Sequence, residues 1–499
     1  MGTRLIAVVD IGSNSGRVMV YRPEPGGHLL LLAGSRAPLR LARGLDETGK
    51  IPDEALERAF AALADFRAIA RGSGVTHVVA AGTAALRDAA NGPAFIRRVR
   101  RELGFAIRIL SGPEEARYGF LGAVGGLPVD DGALFDLGGG SLQVGRFRAR
   151  RLLRATSLPL GALRVSDAFL RSDPPTGREM KRLREHAGDA LRASGVTPLG
   201  AGERLVGTGG TLRNLARIDQ RAAGYPIPRL HGYVLTRKRL TSAAKALAST
   251  KQKRRDRTPG LNADRRDSVV GGALVIEALL EALDADEILV SGQGVREGLA
   301  LAASREALGP VSSARRSSIL ALARRFAGWS AERAERRARS AGSLRAALLS
   351  AAGAEMEETI DHAARVLDVG RTVDFFDRHE HVADLVLSTD LAGFSHRQVA
   401  LLAAVVAAAG EDDRRAAALA PLVTREDRRP IRQAAVVVAL ADEITERCPP
   451  GFVPRIAVAE TDTATTVTVR GLDSWGVRGL GERFEAAFGR GLRVVLRGA

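Results

Sequence analysis

Asp136-Leu137-Gly138-Gly139-Gly140-Ser141 follows the apolar run Ala133–Phe135 and precedes a second run, Leu142–Phe147. This pattern predicts strand, tight turn, strand. Three consecutive glycines leave backbone N–H groups uncovered, and such a nest can hold phosphate oxygens. The aspartate at its edge can hold a divalent cation against the same oxygens. Taken alone, the stretch is equally readable as a hairpin turn without a ligand.

Similar pieces recur outward from it. Leu5–Val9 is a strand-like run that ends in Asp10-Ile11-Gly12-Ser13-Asn14-Ser15 and is followed by a second run around Val18–Tyr21. Leu205-Val206-Gly207-Thr208-Gly209-Gly210-Thr211 runs into a helical pattern from Leu212. Ile288–Val290 then leads through Ser291-Gly292-Gln293-Gly294 to another. Together these loops favour a phosphate site more strongly than any one does.

The chain has 499 residues, 45% of them hydrophobic, with a formal net charge of +17. Length and composition allow about three or four domains with sizeable cores. The positive excess favours a polyanionic partner, the alternative being an arginine-rich solvated surface. Only 4% of residues are aromatic. That argues against stacked single-stranded nucleic acid as a specific partner. Cys448 is the sole cysteine, which excludes an intramolecular disulfide and a cysteine metal cage. Asp10 interrupts the N-terminal apolar run, as in a strand and not a signal peptide. No uncharged apolar stretch reaches about 18 residues, so no membrane partner or span is expected, and the location expected is cytoplasmic.

The predicted order of elements repeats. In the first part, strands near Leu5–Val9, Val18–Tyr21 and Leu29–Leu32 precede a helix from Asp53 to about Ala70, a strand at Val78–Ala80, a helix capped by Asn91 and a strand at Ile107–Leu110. Strands near Ala133–Phe135, Leu142–Phe147 and Leu152–Thr156 then begin a second round, which continues through helices within Val165–Leu191 to strands at Leu205–Val206 and Ile288–Val290. Two such halves predict two α/β domains with a ligand cleft between them. After Pro310 the sequence is helical and rich in alanine and arginine as far as Cys448, with a basic pattern over Ala321–Arg339. Pro449-Pro450-Gly451 marks a boundary before a short strand–strand–helix–strand tail.

These motifs resemble the exopolyphosphatase / guanosine pentaphosphate phosphohydrolase (Ppx/GppA) family. The resemblance rests on Asp10–Ser15, Gly82-Thr-Ala-Ala-Leu-Arg87, Ser111-Gly-Pro-Glu-Glu-Ala116, Asp136–Ser141, Pro159-Leu-Gly161, Gly207–Thr211 and Gly292-Gln-Gly-Val-Arg-Glu-Gly298, in the family's order over about the first 300 residues. It implies an α/β fold with two actin-like (RNase H-like, sugar-kinase superfamily) domains facing a cleft, at 1–125 and 126–308. An all-α HD-like domain would follow at 309–449, resembled more weakly through Phe375–Ser395, with a small α/β module at 450–499. A homodimer is a further implied expectation.

The resemblance also assigns roles. Glu115 matches the catalytic glutamate that polarises the attacking water, as general base or by positioning it. Its neighbour Glu114 is readable as a helix N-terminal carboxylate. Asp136, assisted by Asp10, would bind Mg2+ or Mn2+, a turn cap being the structural alternative for each. Gly12, Ser13, Asn14, Ser15, Gly138, Gly139, Gly140, Ser141, Gly209, Gly210 and Thr211 would give phosphate-binding backbone and hydroxyl groups. Arg87 matches a phosphate-contacting arginine, and Arg17 is a weaker candidate.

The chain departs from the family at several places. Gln143 stands where a catalytic-site glutamate is usual; it keeps the reach and loses the charge. Arg265-Arg266-Asp267 carries an extra arginine. In the helical region, Leu367-Asp368-Val369-Gly370 lacks the expected histidine, and the adjacent pair Asp361-His362 is reversed. His379 and His381 are two apart and do not share a helix face, which favours packing or polyanion contact over a metal.

The leading expectation is metal-dependent hydrolysis of the terminal phosphoanhydride of inorganic polyphosphate, releasing orthophosphate. Guanosine pentaphosphate is the alternative substrate within the same chemistry. From other classes come a polyphosphate or nucleotide sensor with little turnover, motivated by Gln143, and an ATP-driven kinase, disfavoured by the match at Glu114-Glu115. Arg315, Arg316, Arg324, Arg325, Arg336 and Arg337 are expected to carry the chain of phosphates beyond the cleft, unless that face is solvated or buried.

Overall fold

The computed structural model describes residues 5–43, 45–75, 77–304, 308–412, 414–476 and 479–497, with the Asp46 side chain excluded. The chain forms two compact units, Met1–Ala314 and Arg315–Ala499.

The first unit is built on two mixed sheets of the same plan. One contains β1 (Ile6–Ile11), β2 (Ser15–Glu24), β3 (His28–Pro38), β4 (His77–Gly82) and β5 (Ile107–Ile109), in the order β3-β2-β1-β4-β5. The other contains β6 (Gly132–Leu137), β7 (Leu142–Arg148), β8 (Arg151–Leu158), β9 (Arg204–Gly209), β10 (Tyr233–Thr236) and β11 (Glu287–Val290), in the order β10-β11-β9-β6-β7-β8. In each, an antiparallel three-strand meander passes into parallel strands joined through helices. The antiparallel edge strand β10 is an addition that the sequence pattern did not predict.

The inner strands are apolar on both faces because both are covered. Val9, Ile11, Val18 and Val20 pack with Leu63 and Phe66 of the helix Asp53–Gly72. Phe135, Leu137 and Leu142 pack with Leu212 and with Leu274 of the apolar helix Val269–Ala282. The opposite faces are covered crosswise. The helix Gly112–Gly125 follows the first sheet but packs Phe120, Ala123 and Val124 on Leu134, Phe147 and Val206 of the second. The helix Val295–Ser304 follows the second sheet but packs Leu299 and Ala300 on Ile6 and Val8 of the first. The two helices meet at glycines: a Cβ on Gly122 would lie 1.9 Å from the Gly294 carbonyl oxygen, and one on Gly298 would lie 1.8 Å from that of Tyr118.

Asn91 does not cap the following helix, Gly92–Leu103. It has helical backbone angles, and its side chain is used elsewhere, accepting from Ile51 N–H (3.0 Å) and donating to Ile51 C=O (2.8 Å).

The second unit is helical as far as Glu446 and then forms a three-stranded sheet. Its longest helices are Ala331–Leu348, Ala354–Val366, His396–Ala409 and Arg428–Glu446. The sheet has β12 (Arg455–Glu460), β13 (Ala464–Arg470) and β14 (Gly491–Arg497), with the helix Leu480–Phe488 before the last strand. Here the expected basic face is corrected in part: Arg316, Arg324 and Arg325 are exposed, whereas Arg315, Arg336 and Arg337 are turned inward. Arg337 is fully buried, pairing with Asp368 (2.5 Å) and Asp442 (2.8 Å). Arg336 is buried and donates to Cys448 C=O at 3.0 Å, and Arg315 pairs with Glu358 at 2.8 Å. Partners distant in sequence, the carboxylates of Asp368, Asp442 and Glu358 and the Cys448 carbonyl, decide where these three arginines point. His362 and His379 are both recessed, and burial pushes each imidazole down to about 4, so both are neutral.

Candidate functional site

The carboxyl ends of β1, β6 and β9 and the loop after β11 open onto one cleft in the first unit. Ligands gather at such strand ends because loops and helix N-termini converge there. The two hairpin turns are built alike: Gly12 N–H donates to Ser15 C=O (3.1 Å), and Gly138 N–H donates to Ser141 C=O (3.0 Å). They approach closely, since a Cβ on Gly140 would meet Ser13 Oγ at 2.8 Å. Gly209 has φ +108°, and a Cβ there would lie 2.3 Å from Leu137 C=O, so only glycine can turn β9 into the helix Gly210–Ala222.

Of the expected site residues, Asp10, Gly12, Ser13, Asn14, Ser15, Arg17, Glu115, Asp136, Gly138, Gly139, Gly140, Ser141, Gly209 and Gly210 all line this cleft. Arg87, Gln143 and Thr211 do not. Arg87 Nη1 donates to Leu110 C=O at 3.0 Å and stands 3.7 Å from Glu115 Oε2. Gln143 is buried beneath the glycine turn, where Nε2 donates to Ser141 Oγ (2.7 Å) and Ser157 Oγ (3.2 Å) while Oε1 has no partner. Thr211 falls on the buried face of its helix, where its hydroxyl is packed against Gly272.

Two adjacent glutamates have different surroundings. Glu114 closes a capping box, accepting from the Ser111 N–H and hydroxyl, both at 2.9 Å, and it pairs with Arg108. Glu115 is 8% exposed, and its Oε2 has no hydrogen-bond partner. Burial, then the Asp136 charge, raise its carboxyl to about 8 against the pull of Arg87. Asp136 is raised to about 6 by burial and by Asp10, with Arg213 opposing. Asp10 is raised by burial, partly offset by Arg296 and Arg17.

Reasoning from sequence missed four residues that shape this cleft. Arg296 donates to Asp10 Oδ2 at 3.3 Å. Glu297 accepts from Tyr21 Oη and from Gly294 N–H, each at 2.7 Å. Burial pushes the Glu297 carboxyl up, but Arg296 and these donors outweigh it and hold it below its ordinary value. Arg213 Nη1 reaches Gly292 C=O at 3.3 Å, and Arg265 is buried in the cleft wall, its Nε 3.2 Å from the Asn14 side-chain oxygen. Arg296 and Glu297 lay within a quoted motif. Arg213, four residues after Gly209 on a helix, was findable by helical periodicity.

Among the described residues of the second unit, carboxylate oxygens of Asp368, Asp442 and Glu446 lie within 4.8 Å of one another. Arg337, Arg371 and Arg378 already answer that charge. Among the described residues, no helix is long and apolar enough to cross a membrane.

Comparison with known proteins agrees with this geometry. The profile of the Ppx/GppA phosphatase family matches residues 19–306, and that of Ppx/GppA phosphatase domain III matches 314–447. Exopolyphosphatase 1 of Mycobacterium tuberculosis is 34% identical over 300 residues, covering 59% of this chain and 87% of the relative. Among solved structures, an exopolyphosphatase from Cytophaga hutchinsonii has 25% identity and a TM-score of 0.56, covering 61% of this chain and all (100%) of that one. The Aquifex aeolicus member of the Ppx/GppA family has 27% identity and a TM-score of 0.53, covering 60% and 98%. The two-domain actin-like α/β architecture is thus shared with solved members.

Proposed function

This chain belongs to the Ppx/GppA phosphatase family and is a phosphoanhydride hydrolase, and from that premise we propose that its cleft removes the terminal phosphate of inorganic polyphosphate. The observation that carries the reading is Glu115: a buried carboxylate with a free oxygen, set beside Asp136 in a cleft lined by two glycine turns.

Such hydrolysis needs an oriented water, phosphate oxygens held in place and neutralised charge. In its ionised form, which predominates above about pH 8 and which Arg87 favours, Glu115 accepts a hydrogen bond from the attacking water and takes its proton as the oxygen bonds to the terminal phosphorus. The bridging P–O bond breaks, orthophosphate leaves, and the chain is one phosphate shorter. The proton on Glu115 passes to solvent or product phosphate. Amides of Ser13, Asn14, Gly139, Gly140 and Gly210 hold the non-bridging oxygens, those of Gly12 and Gly138 being used to close their own turns. Arg87 draws the Glu115 carboxyl towards its ionised form.

Asp10 and Asp136 fit a Mg2+ or Mn2+ ion. Both are recessed carboxylates raised by burial, and Asp136 has no hydrogen-bond or ion-pair partner among the described residues. Bound there, the ion would neutralise charge on the phosphate oxygens.

The test is phosphate release from long-chain polyphosphate and from guanosine pentaphosphate, measured side by side with Mg2+. Release from polyphosphate at the higher kcat/KM is the expected result. Preference for the nucleotide moves the assignment to the alternative substrate, and release from neither overturns the reading.

A further inference from the structure

Among the described residues four arginines line the cleft: Arg17, Arg213, Arg265 and Arg296. Arg265 is held by the Asn14 side-chain oxygen, and Arg296 and several arginines farther out have a carboxylate partner. Arg296 pairs with Asp10, Arg87 and Arg164 with Asp88, Arg40 with Asp267, and Arg36 with Asp264. Arg17 and Arg213 differ. Both line the cleft, and among the described residues neither has a carboxylate within 4 Å. Arg17 makes no side-chain hydrogen bond, and Arg213 makes only long contacts, to Thr208 Oγ1 (3.4 Å) and Gly292 C=O (3.3 Å).

The backbone brings them to the reacting carboxylates from different lobes. Arg17 is the cross-strand neighbour of Asp10 on β2. Arg213 lies in the first turn of the helix Gly210–Ala222, from the other lobe, close enough to Asp136 to feel its charge. Burial and repulsion from Arg296 and Arg213 lower Arg17 to about 9, and burial and repulsion from Arg296 lower Arg213 to about 10 against the pull of Asp136. Two recessed guanidinium groups without counter-ions are costly unless an anion completes them.

The two kinds of phosphate in a polyphosphate chain differ in what they offer these groups. An internal phosphate has two non-bridging oxygens and one negative charge. A terminal one has three such oxygens and about −1.5 to −2 charges near neutral pH, like a phosphomonoester. Two planar forks approaching from two sides suit the second. Resting on the hydrolase reading above, we propose that Arg213 and Arg17 form an end-reading subsite that grips the terminal phosphate from both lobes and so confines cleavage to the chain end.

The test compares free-ended polyphosphate with chains whose two terminal phosphates are capped as methyl esters. The intact protein should strongly prefer free ends. In Arg213→Gln the KM for free-ended chains should rise about 10–100-fold, the loss of one or two charge-assisted contacts, and the preference should shrink towards parity. Arg213→Lys, which keeps the charge and loses the fork, should fall between. Orthophosphate gives a readout independent of turnover: at millimolar concentration it should raise the melting temperature of the intact protein, less so that of Arg213→Lys and not that of Arg213→Gln. Unchanged KM, end preference and phosphate stabilisation in either variant overturn the proposal. If Arg213→Gln does not fold, Arg213→Lys decides. If the intact protein cleaves neither chain, the hydrolase reading has failed instead, and the orthophosphate measurement still decides whether Arg213 holds the anion.

Discussion

Arg87 Nη1 lies 3.7 Å from Glu115 Oε2, near enough to stabilise its charge and too far for a hydrogen bond, so that buried oxygen is left without a partner. Glu115 is a recessed part of the cleft lining, and Arg87 lies outside that lining. Removing the carboxylate should therefore affect chemistry more than substrate binding. In Glu115→Gln, kcat should fall about 10²–10⁴-fold with KM little changed, as steady-state phosphate release will show.

The same substitution has a signature in stability. The folded-state carboxyl of Glu115 is raised to about 8 from an ordinary value of 4.5. The folded protein thus binds the proton more tightly than the unfolded chain does, and this stabilisation is complete below about pH 4.5 and lost as pH rises through about 8. Glutamine is neutral throughout. The melting temperature of Glu115→Gln minus that of the intact protein should rise between about pH 4.5 and 8 and level off above, by about 1–2 °C per kcal/mol for a chain of this size. A pH-independent difference would show that Glu115 is not held protonated.

Asp136, raised to about 6, predicts competition between proton and metal. The Mg2+ concentration for half-maximal activity should fall as pH rises through about 6 and then stay level. Asp136→Asn should need at least about tenfold more Mg2+ and lose that dependence, the loss of one charged ligand being worth more than about 1.4 kcal/mol.

Gln143→Glu tests the departure beneath the glycine turn. The hydroxyls of Ser141 and Ser157, which now accept from Gln143, can rotate to donate to a carboxylate, so the variant should fold. An added negative charge near the metal aspartates should lower the Mg2+ requirement several-fold. An unchanged requirement in a titration of activity would place position 143 outside the field of the metal.

Gly122→Ala should act without touching the chemistry. The new methyl would lie 1.9 Å from the Gly294 carbonyl oxygen, which is backbone and cannot swing aside. Separating the crossed helices should cost about 1–3 kcal/mol, measurable by urea unfolding.

Much of this was legible in the chain. Alternating apolar runs and glycine-rich turns repeated in two rounds, which predicted both sheets and brought Asp10, Glu115 and Asp136 to one cleft. Where the sequence misled, the deciding partner lay far away along the chain. Arg337 reads as surface charge beside Arg336, and only the burial of Asp368 and Asp442 around it turns it inward. Asn91 has the composition of a cap, but Ile51, 40 positions earlier, takes its side chain. Arg296 carries no local signal of its pairing with Asp10, because that carboxylate comes from the first strand of the other sheet.

The crosswise helices also bear on how the protein is made. The first sheet is complete in sequence by Ile109, yet the helix that covers Ile6 and Val8 begins at Val295. At about 5–20 residues per second on the ribosome, that cover arrives roughly 10–40 seconds after the strands it protects. In the interval the nascent chain carries an apolar sheet face with nothing over it. Chaperone demand should therefore fall on ribosome-bound chains shorter than about 300 residues, and a split gene encoding the two lobes separately would leave each half waiting for a helix held by the other.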